Sequence, residues 1–132
     1  MTADLEHVKE YISQLVSTSR KAQKEFERGW TTQRSIDEVC RAAGMVIMKN
    51  GSALAQEAVG ETGMGNVEGK LLKLNSIALG QWNVMKGKQT VGFMEVPGEP
   101  GVRMLCKPLG VIGCVMPSTN PIATVIGNSM MA

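Results

Sequence analysis

The fold is decided by one stretch, Cys106-Lys-Pro-Leu-Gly-Val-Ile-Gly-Cys-Val-Met-Pro-Ser-Thr-Asn-Pro121, which runs into an apolar segment over residues 122–132. Residues 111–116 form a short apolar run that only Gly113 interrupts. A run of this length is too short for a helix and is typical of a strand buried on both faces of a parallel sheet. Pro117 cannot donate to a sheet ladder, so the strand is predicted to end there.

A helix is predicted to begin directly after this strand. Asn120 is a favoured N-cap residue, and Pro121 fits the first helical position, where its missing N–H would have no helical partner anyway. Apolar side chains then recur at helical spacing: Ile122, Val125, Ile126 and Met130. The unit is therefore strand, polar turn and helix. In open α/β sheets, ligands bind outside the carboxyl ends of the strands, where this turn lies.

The first half of the chain has helical periodicity. Residues 4–28 predict an amphipathic helix that packs on the body, with a break allowed at residues 17–19. A second helix is expected from Thr31 or Thr32 to Asn50-Gly51, and Ser52 would cap a short third helix. The expected apolar face of the first helix consists of Leu5, Val8, Ile12, Leu15 and Val16.

The glycine-rich stretch over residues 60–65 matches neither phosphate-loop spacing, and no strand precedes it. We interpret it as a turn between helices that needs positive φ at Gly63 or Gly65. Asn66 would cap a fourth helix ending near residues 80–82. That helix is predicted to turn Lys70 and Lys73 outward and to bury Val67, Leu71, Leu74 and Ala78.

From residue 89 the pattern changes to β-like runs. Residues 90–96 and 102–106 flank a proline- and glycine-rich turn at residues 97–101, which predicts an antiparallel hairpin. A hairpin alone is marginal in water, so this one is expected to need packing partners.

Composition excludes several classes of protein. The 14 Lys and Arg residues nearly balance 12 Asp and Glu and are scattered, so neither nucleic acid nor an acidic membrane is an expected partner. Three cysteines without regular spacing fit a reducing cytoplasm, and no Cys/His set predicts a metal. Acidic residues interrupt any signal-peptide core at the N-terminus, and prolines and glycines make residues 108–132 a poor membrane span.

Four stretches together resemble one family. Lys107–Gly113 with Pro117-Ser-Thr-Asn-Pro121 resembles the first cofactor-domain strand of the aldehyde dehydrogenase superfamily. The Pro-Ser-Thr-Asn-Pro turn resembles the form of this turn in the CoA-acylating branch of the superfamily. That branch includes the aldehyde-oxidising part of bifunctional alcohol/aldehyde dehydrogenases and the microcompartment propionaldehyde and acetaldehyde dehydrogenases. The other three stretches lie earlier in the chain, in the same order as in the family: Arg41-Ala-Ala43, Glu61-Thr-Gly-Met-Gly-Asn-Val-Glu68 and Lys86-Gly-Lys-Gln-Thr-Val-Gly92.

The resemblance implies an incomplete α/β fold. Residues 1–85 would be the N-terminal helical part of the cofactor domain, 86–107 an oligomerisation hairpin, and 108–132 the first strand, Asn-Pro turn and truncated helix of a Rossmann-like NAD(P)-binding domain. A lone parallel strand, and an apolar helical pattern still running at Ala132, lead us to expect the N-terminal portion of a longer enzyme.

The family's reaction, as the resemblance implies it, begins when a cysteine thiolate attacks an aldehyde. Hydride passes to NAD or NADP, and coenzyme A then accepts the acyl group from the resulting thioester. The family's nucleophile lies far downstream of the Asn-Pro turn, and none of Cys40, Cys106 or Cys114 matches it. The 132 residues alone are therefore expected to be inactive, and the full protein is expected to be a homo-oligomer, either a dimer or a tetramer.

Asn120 is the expected catalytic residue, because a side-chain amide in this turn can donate to the oxyanion that forms from the aldehyde. Non-acylating relatives place their asparagine at the position of Thr119, so Asn120 and the region of Thr119 both stay open as the donor. Asn120 could also be only a helix cap. Val115, Pro117, Ser118 and Thr119 are the expected cofactor contacts, although ordinary turn chemistry would also explain them.

Two other functions stay open at this point. One is a non-catalytic helical assembly or binding fragment, and the other is a relative that reduces an acyl phosphate. Acetaldehyde, propionaldehyde, succinic semialdehyde and sulfoacetaldehyde are all candidate substrates. Microcompartment relatives carry a short N-terminal targeting helix, so residues 4–16 could direct the enzyme to a bacterial microcompartment shell within the cytoplasm.

Overall fold

The structure is a computed structural model that describes residues 2–132. Three long helices come first, then a hairpin, then a short helix, and the described part of the chain is mostly helical. The elements are α1 (Thr2–Gly29), α2 (Gln33–Thr62), α3 (Val67–Met85), β1 (Gly92–Glu95), β2 (Arg103–Cys106) and α4 (Pro121–Met131). This order confirms a helical first half, the predicted hairpin and the final helix.

α2 and α3 pack against each other in antiparallel directions through small residues on α2. A Cβ built on Gly44 would lie 3.6 Å from the Ala78 carbonyl oxygen, and one built on Gly51 would lie 2.8 Å from Leu71 Cδ1. Ala55 is completely buried on the same face. Because these side chains are absent or minimal, the two helix backbones can approach closely.

The predicted helix break at Asn50-Gly51 is wrong, since α2 runs without interruption from Gln33 to Thr62. Asn50 turns its amide back along the helix, and Nδ2 donates to the Val46 carbonyl oxygen at 2.8 Å. Gly51 is buried against α3. The packing that its missing side chain allows outweighs its poor intrinsic helix propensity.

α4 lies across both α2 and α3 and closes the core. Its buried side chains include Ala123, Ile126 and Met130. Gln81 Nε2 on α3 donates to the Gly127 carbonyl oxygen at 3.4 Å. The core cluster consists of Ile47, Ala55, Leu74, Ala78, Ala123, Ile126 and Met130.

The helix ends follow the expected capping chemistry. Thr32 caps α2 in a reciprocal box with Ser35, and Asn66 Oδ1 accepts from the Gly69 N–H at 2.7 Å to cap α3. Gly63 and Gly65 both have positive φ, at 63° and 75°, which confirms the predicted turn. α3 continues to Met85, slightly beyond its predicted end.

α1 is continuous through residues 17–19, but the prediction that it packs on the body is wrong for its first half. Within the described residues, α1 makes no helix or strand contact of the kind that joins α2, α3 and α4. The predicted apolar face, from Leu5 to Val16, is exposed. The helix forms from its own sequence and has no neighbouring surface on which to bury that face. None of the described helices combines the length and apolar character needed to cross a membrane.

The hairpin pairs Gly92 with Cys106 and Glu95 with Arg103 in antiparallel register. It is attached to the helices at its start, where the Thr90 N–H donates to Gln33 Oε1 at 2.7 Å. Both strands remain largely exposed, as expected for a hairpin that needs further partners.

The predicted buried strand over residues 111–116 is wrong for this structure. The segment has no ladder partner, and the only sheet in residues 2–132 is the β1–β2 hairpin. Val111 and Ile112 are each 44% exposed, and Val115 is 97% exposed. A strand needs backbone partners on a neighbouring strand, and the described residues supply no parallel neighbour.

The close approach of α2 and α3 at Gly51 can be tested by substitution. We expect Gly51→Val to lower the free energy of unfolding by about 1–3 kcal/mol, because the added methyl groups overpack the contact with Leu71. Gly60→Ala in the same helix should raise it by about 0.5–1 kcal/mol, since nothing lies within 4 Å of a Cβ there. Urea denaturation measures both; equal effects of the two substitutions would contradict the packing.

Candidate functional site

The polar turn over residues 117–120 leads directly into α4. Pro121 occupies the start of the helix, and the Asn120 carbonyl oxygen accepts the first helical hydrogen bond from the Thr124 N–H at 3.1 Å. The turn is mostly exposed, whereas Asn120 itself is half-buried. This places one amide side chain where the extended segment meets the helix.

Two lysines of α3 hold this turn. Lys73 Nζ donates to Asn120 Oδ1 at 2.6 Å. Lys70 Nζ donates to the backbone carbonyl oxygen of Thr119 at 3.2 Å. One ammonium group therefore contacts the side chain of the candidate catalytic residue, and the other contacts the backbone just before it.

The packing of α3 explains why these two lysines reach the turn. Residues three apart lie on neighbouring positions of a helix surface, so Lys70 and Lys73 project from one side of α3. Leu74, which follows Lys73, is buried in the core. With Leu74 facing inward, the lysine side chains run along the edge of the core towards the start of α4. They line a small cavity there with Asn120 and Ala123.

The Asn120 side chain does not make the capping hydrogen bond that the helix-cap interpretation expects. Asn120 occupies the N-cap position of α4, but its side chain makes no capping hydrogen bond. An ammonium group has donors only, so the amide atom that faces Lys73 must be the oxygen. Within residues 2–132, Nδ2 has no hydrogen-bond partner and is available as a donor.

The predicted cofactor-contact residues lie in the same turn or just before it. Val115, Pro117, Ser118 and Thr119 are all exposed. In the described part of the chain, the hydroxyls of Ser118 and Thr119 have no hydrogen-bond partner, and Thr119 is engaged only through its backbone carbonyl. The structure thus brings Thr119 and Asn120 together with Lys70 and Lys73. The lysines were missed as site residues because helical periodicity shows only that they point outward.

An open groove of about 520 Å³ lies along the extended segment that precedes this turn. It separates the second half of α1 from the extended segment and α4, and apolar side chains dominate its walls. The side chains of Phe26, Ile112, Met116 and Val125 are among those that line it. The groove runs along the residues that were predicted to form the buried strand.

The three cysteines have different surroundings. Cys40 is half-buried against the core, where its Sγ donates weakly to the Met130 carbonyl oxygen at 3.7 Å. Cys106 Sγ contacts Met94 Sδ at 3.5 Å, so Cys106 packs within the hairpin. Cys114 lies in the apolar run over residues 111–116, where a packing role would be expected, but it is exposed, so that expectation is wrong for this structure.

Burial raises the pKa of the Cys40 thiol, and the negative charge of Asp37 raises it further. Both effects disfavour the thiolate. A cysteine nucleophile needs the opposite, a pKa low enough to populate the thiolate near neutral pH. Cys40 is therefore a packing residue by its electrostatics as well as its position.

Comparisons with known proteins identify relatives of the chain by sequence and by fold. No protein-family model matches the chain. The chain is 36% identical to the acylating sulfoacetaldehyde dehydrogenase of Cupriavidus necator, over 87% of the chain and 23% of that relative. It is 36% identical to the acetylating succinate-semialdehyde dehydrogenase of Clostridium kluyveri, over 92% of the chain and 26% of that relative. A crystal structure of an acetylating aldehyde dehydrogenase from Geobacillus thermoglucosidasius superposes with a TM-score of 0.86 and 33% identity, covering 98% of the chain and 28% of that protein.

By sequence and by fold, the chain belongs with the acylating aldehyde dehydrogenases, which confirms the family inferred from the sequence. It spans about a quarter of the length of these relatives, consistent with an N-terminal portion of such an enzyme.

The electrostatics of Cys40 predict slow reaction with alkylating agents. Because its pKa is raised, less of the thiol is ionised at pH 8 than in a free cysteine, so iodoacetamide should modify Cys40 more slowly than it modifies free cysteine. Asp37→Asn removes the neighbouring charge and should accelerate the modification. Glu38→Gln, an exposed partner of Arg34, is the matched control and should not. Peptide mass spectrometry over time measures the rates; an unchanged rate in Asp37→Asn would contradict the role of Asp37.

Proposed function

We propose that these residues form the N-terminal portion of an NAD(P)-dependent, CoA-acylating aldehyde dehydrogenase. The enzyme would convert an aldehyde, coenzyme A and NAD(P)+ to an acyl-CoA and NAD(P)H. The observation that supports this best is the amide of Asn120, held through its oxygen with its donor free, in a chain related to acylating aldehyde dehydrogenases. In this proposal residues 1–85 are the helical part, 86–107 the oligomerisation hairpin and 108–132 the opening of the cofactor domain.

Asn120 would act on the aldehyde oxygen. When a thiolate adds to the carbonyl carbon, the oxygen gains negative charge, and a donor already fixed in place stabilises that charge without having to reorganise. Nδ2 of Asn120 is such a donor, because its partner atom Oδ1 is held by Lys73. The thiolate itself would come from a cysteine outside these residues, so the 132-residue segment alone should not turn over substrate.

The dinucleotide would lie against the exposed side of the turn. Val115 and Pro117 offer apolar surface there, and Ser118 and Thr119 offer hydroxyls that have no partner within the described chain. These features fit a nucleotide that needs both apolar contact and hydrogen-bond donors. The nicotinamide of NAD or NADP would supply the hydride acceptor, and these residues would hold and orient the dinucleotide.

Residues 111–116 would become a paired strand in the complete enzyme. Their apolar side chains suit a strand that pairs with parallel neighbours and is covered by helices, and residues 2–132 contain no such neighbouring strand. The hairpin would contribute to a homodimer or homotetramer, because its exposed strands need partners. We also propose that the enzyme is cytoplasmic, either free or attached through α1 to a microcompartment shell.

The proposed activity can be assayed directly in the full-length protein that contains this segment. We expect NADH or NADPH to form only when an aldehyde and coenzyme A are both present, with acetaldehyde, propionaldehyde, succinic semialdehyde and sulfoacetaldehyde as the substrate panel. Absorbance at the reduced-nicotinamide band follows the reaction. Replacement of coenzyme A by phosphate should abolish acyl transfer; activity that needs phosphate instead would favour an acyl-phosphate enzyme. No turnover with any aldehyde would favour an assembly role.

Substitutions can separate the catalytic role proposed for Asn120 from a role in helix capping. Asn120→Ala should lower kcat by about 10²–10³-fold, because the oxyanion loses its donor. Asn66 is the matched control, since it does cap a helix. Asn66→Ala should lower the free energy of unfolding by about 1 kcal/mol and leave kcat unchanged. Steady-state kinetics and urea denaturation of both variants measure the difference. Full kcat in Asn120→Ala, together with a loss of stability, would show that Asn120 is structural.

A further inference from the structure

We propose that Lys73 is a positioning residue for this reaction, which holds the Asn120 amide by its oxygen and so directs the Nδ2 donor to the oxyanion. The inference rests on the proposed function and extends it to a residue on a different helix. It depends on one contact, the 2.6 Å hydrogen bond from Lys73 Nζ to Asn120 Oδ1.

The chemistry of the two groups fixes which amide atom of Asn120 faces Lys73. An ammonium group only donates, so it selects the amide orientation in which Oδ1 faces α3 and Nδ2 faces away. Hydrogen bonds from a charged donor are shorter and stronger than those between neutral groups. Lys73 therefore defines which end of the Asn120 side chain is free to meet a substrate.

Asn66, the other N-cap asparagine discussed above, shows which hydrogen bond the Lys73 contact replaces. Asn66 and Asn120 are both N-cap residues, but Asn66 Oδ1 accepts from the backbone N–H of Gly69. That is the usual position of an N-cap side chain. Asn120 does not adopt it, because its oxygen is bonded to Lys73 instead. Without Lys73, the Asn120 amide would be free to rotate onto the first turn of α4.

The charge of Lys73 adds to the effect of orientation. An ammonium group beside Oδ1 draws electron density from the amide and makes the Nδ2 hydrogens better donors. Both effects favour the charged transition state over the neutral aldehyde, so they should act on kcat more than on binding.

Lys70 fixes the backbone on which this side chain is mounted. Its Nζ donates to the Thr119 carbonyl oxygen at 3.2 Å, immediately before Asn120. The two lysines thus restrain the turn at consecutive residues. α3 is buried through Leu74 and Ala78, so the restraint comes from a helix packed in the core and not from a loop.

The test is a double-mutant cycle in the full-length enzyme at saturating coenzyme A, with aldehyde and NAD(P)+ each varied while the other is saturating. The four proteins are the parent, Lys73→Met, Asn120→Ala and the double variant. Methionine keeps the apolar stem of lysine but removes its charge and its donors. Lys73→Arg is the conservative variant, and Lys49→Met is the matched control, because Lys49 is an exposed lysine on α2.

We expect Lys73→Met to lower kcat by about 10–100-fold, with the KM values for aldehyde and dinucleotide changed by less than about threefold. The double variant should be no slower than Asn120→Ala, because Lys73 acts through the amide that is already absent. Lys73→Arg should recover most of the lost kcat. Lys49→Met should match the parent, and thermal unfolding should show Lys73→Met folded like the parent.

Three outcomes would overturn the inference, and they separate it from the proposed function. A kcat near the parent's in Lys73→Met, with Asn120→Ala impaired, would remove Lys73 and leave the role of Asn120 intact. Multiplying losses in the double variant would show that Lys73 acts independently of Asn120. A parent-like kcat in Asn120→Ala would overturn the role of Asn120, and the positioning role of Lys73 with it.

Discussion

The close contact between α2 and α3 is the constraint on which the rest of the structure depends. Gly44, Gly51 and Ala55 give α2 small or absent side chains where it contacts α3, so the two helices approach closely. This contact sets the rotation of α3, which buries Leu74 and Ala78. Because α4 packs on both helices, the same contact also sets where the Asn-Pro turn meets α3. The candidate site therefore lies at the edge of the core and is positioned by it.

The two N-cap asparagines show how tertiary contacts decide what a side chain does. Asn66 has no cation on its oxygen and caps its helix as its sequence position predicts. The Asn120 oxygen is bonded to an ammonium group at 2.6 Å, and the cap is lost. A charged hydrogen bond is roughly twice as strong as a neutral one, which outweighs one capping bond. The amide gains a defined orientation, which a catalytic donor needs and a cap does not.

The apolar segment over residues 111–116 is exposed in a chain that matches only part of a related protein. The chain superposes on an acetylating aldehyde dehydrogenase over 98% of its own length but only 28% of that protein. Its most apolar run is exposed because residues 2–132 contain no strand that could pair with it. The groove beside the run is open, and the apolar face of α1 is also exposed. Both exposed surfaces belong to segments that the sequence predicted to be buried.

The sequence by itself determined the features that depend on local chemistry. Helical periodicity, the cap at Asn66, positive φ at Gly63 and the hairpin turn were predictable because each depends on residues close in the chain. The motif around Asn120 also identified the family. Tertiary structure decided whether Gly51 breaks a helix, whether Val115 is buried, and which group faces the Asn120 oxygen. Such outcomes depend on partners far along the chain, and Lys73, 47 residues before Asn120, could be found only once α3 and α4 were packed together.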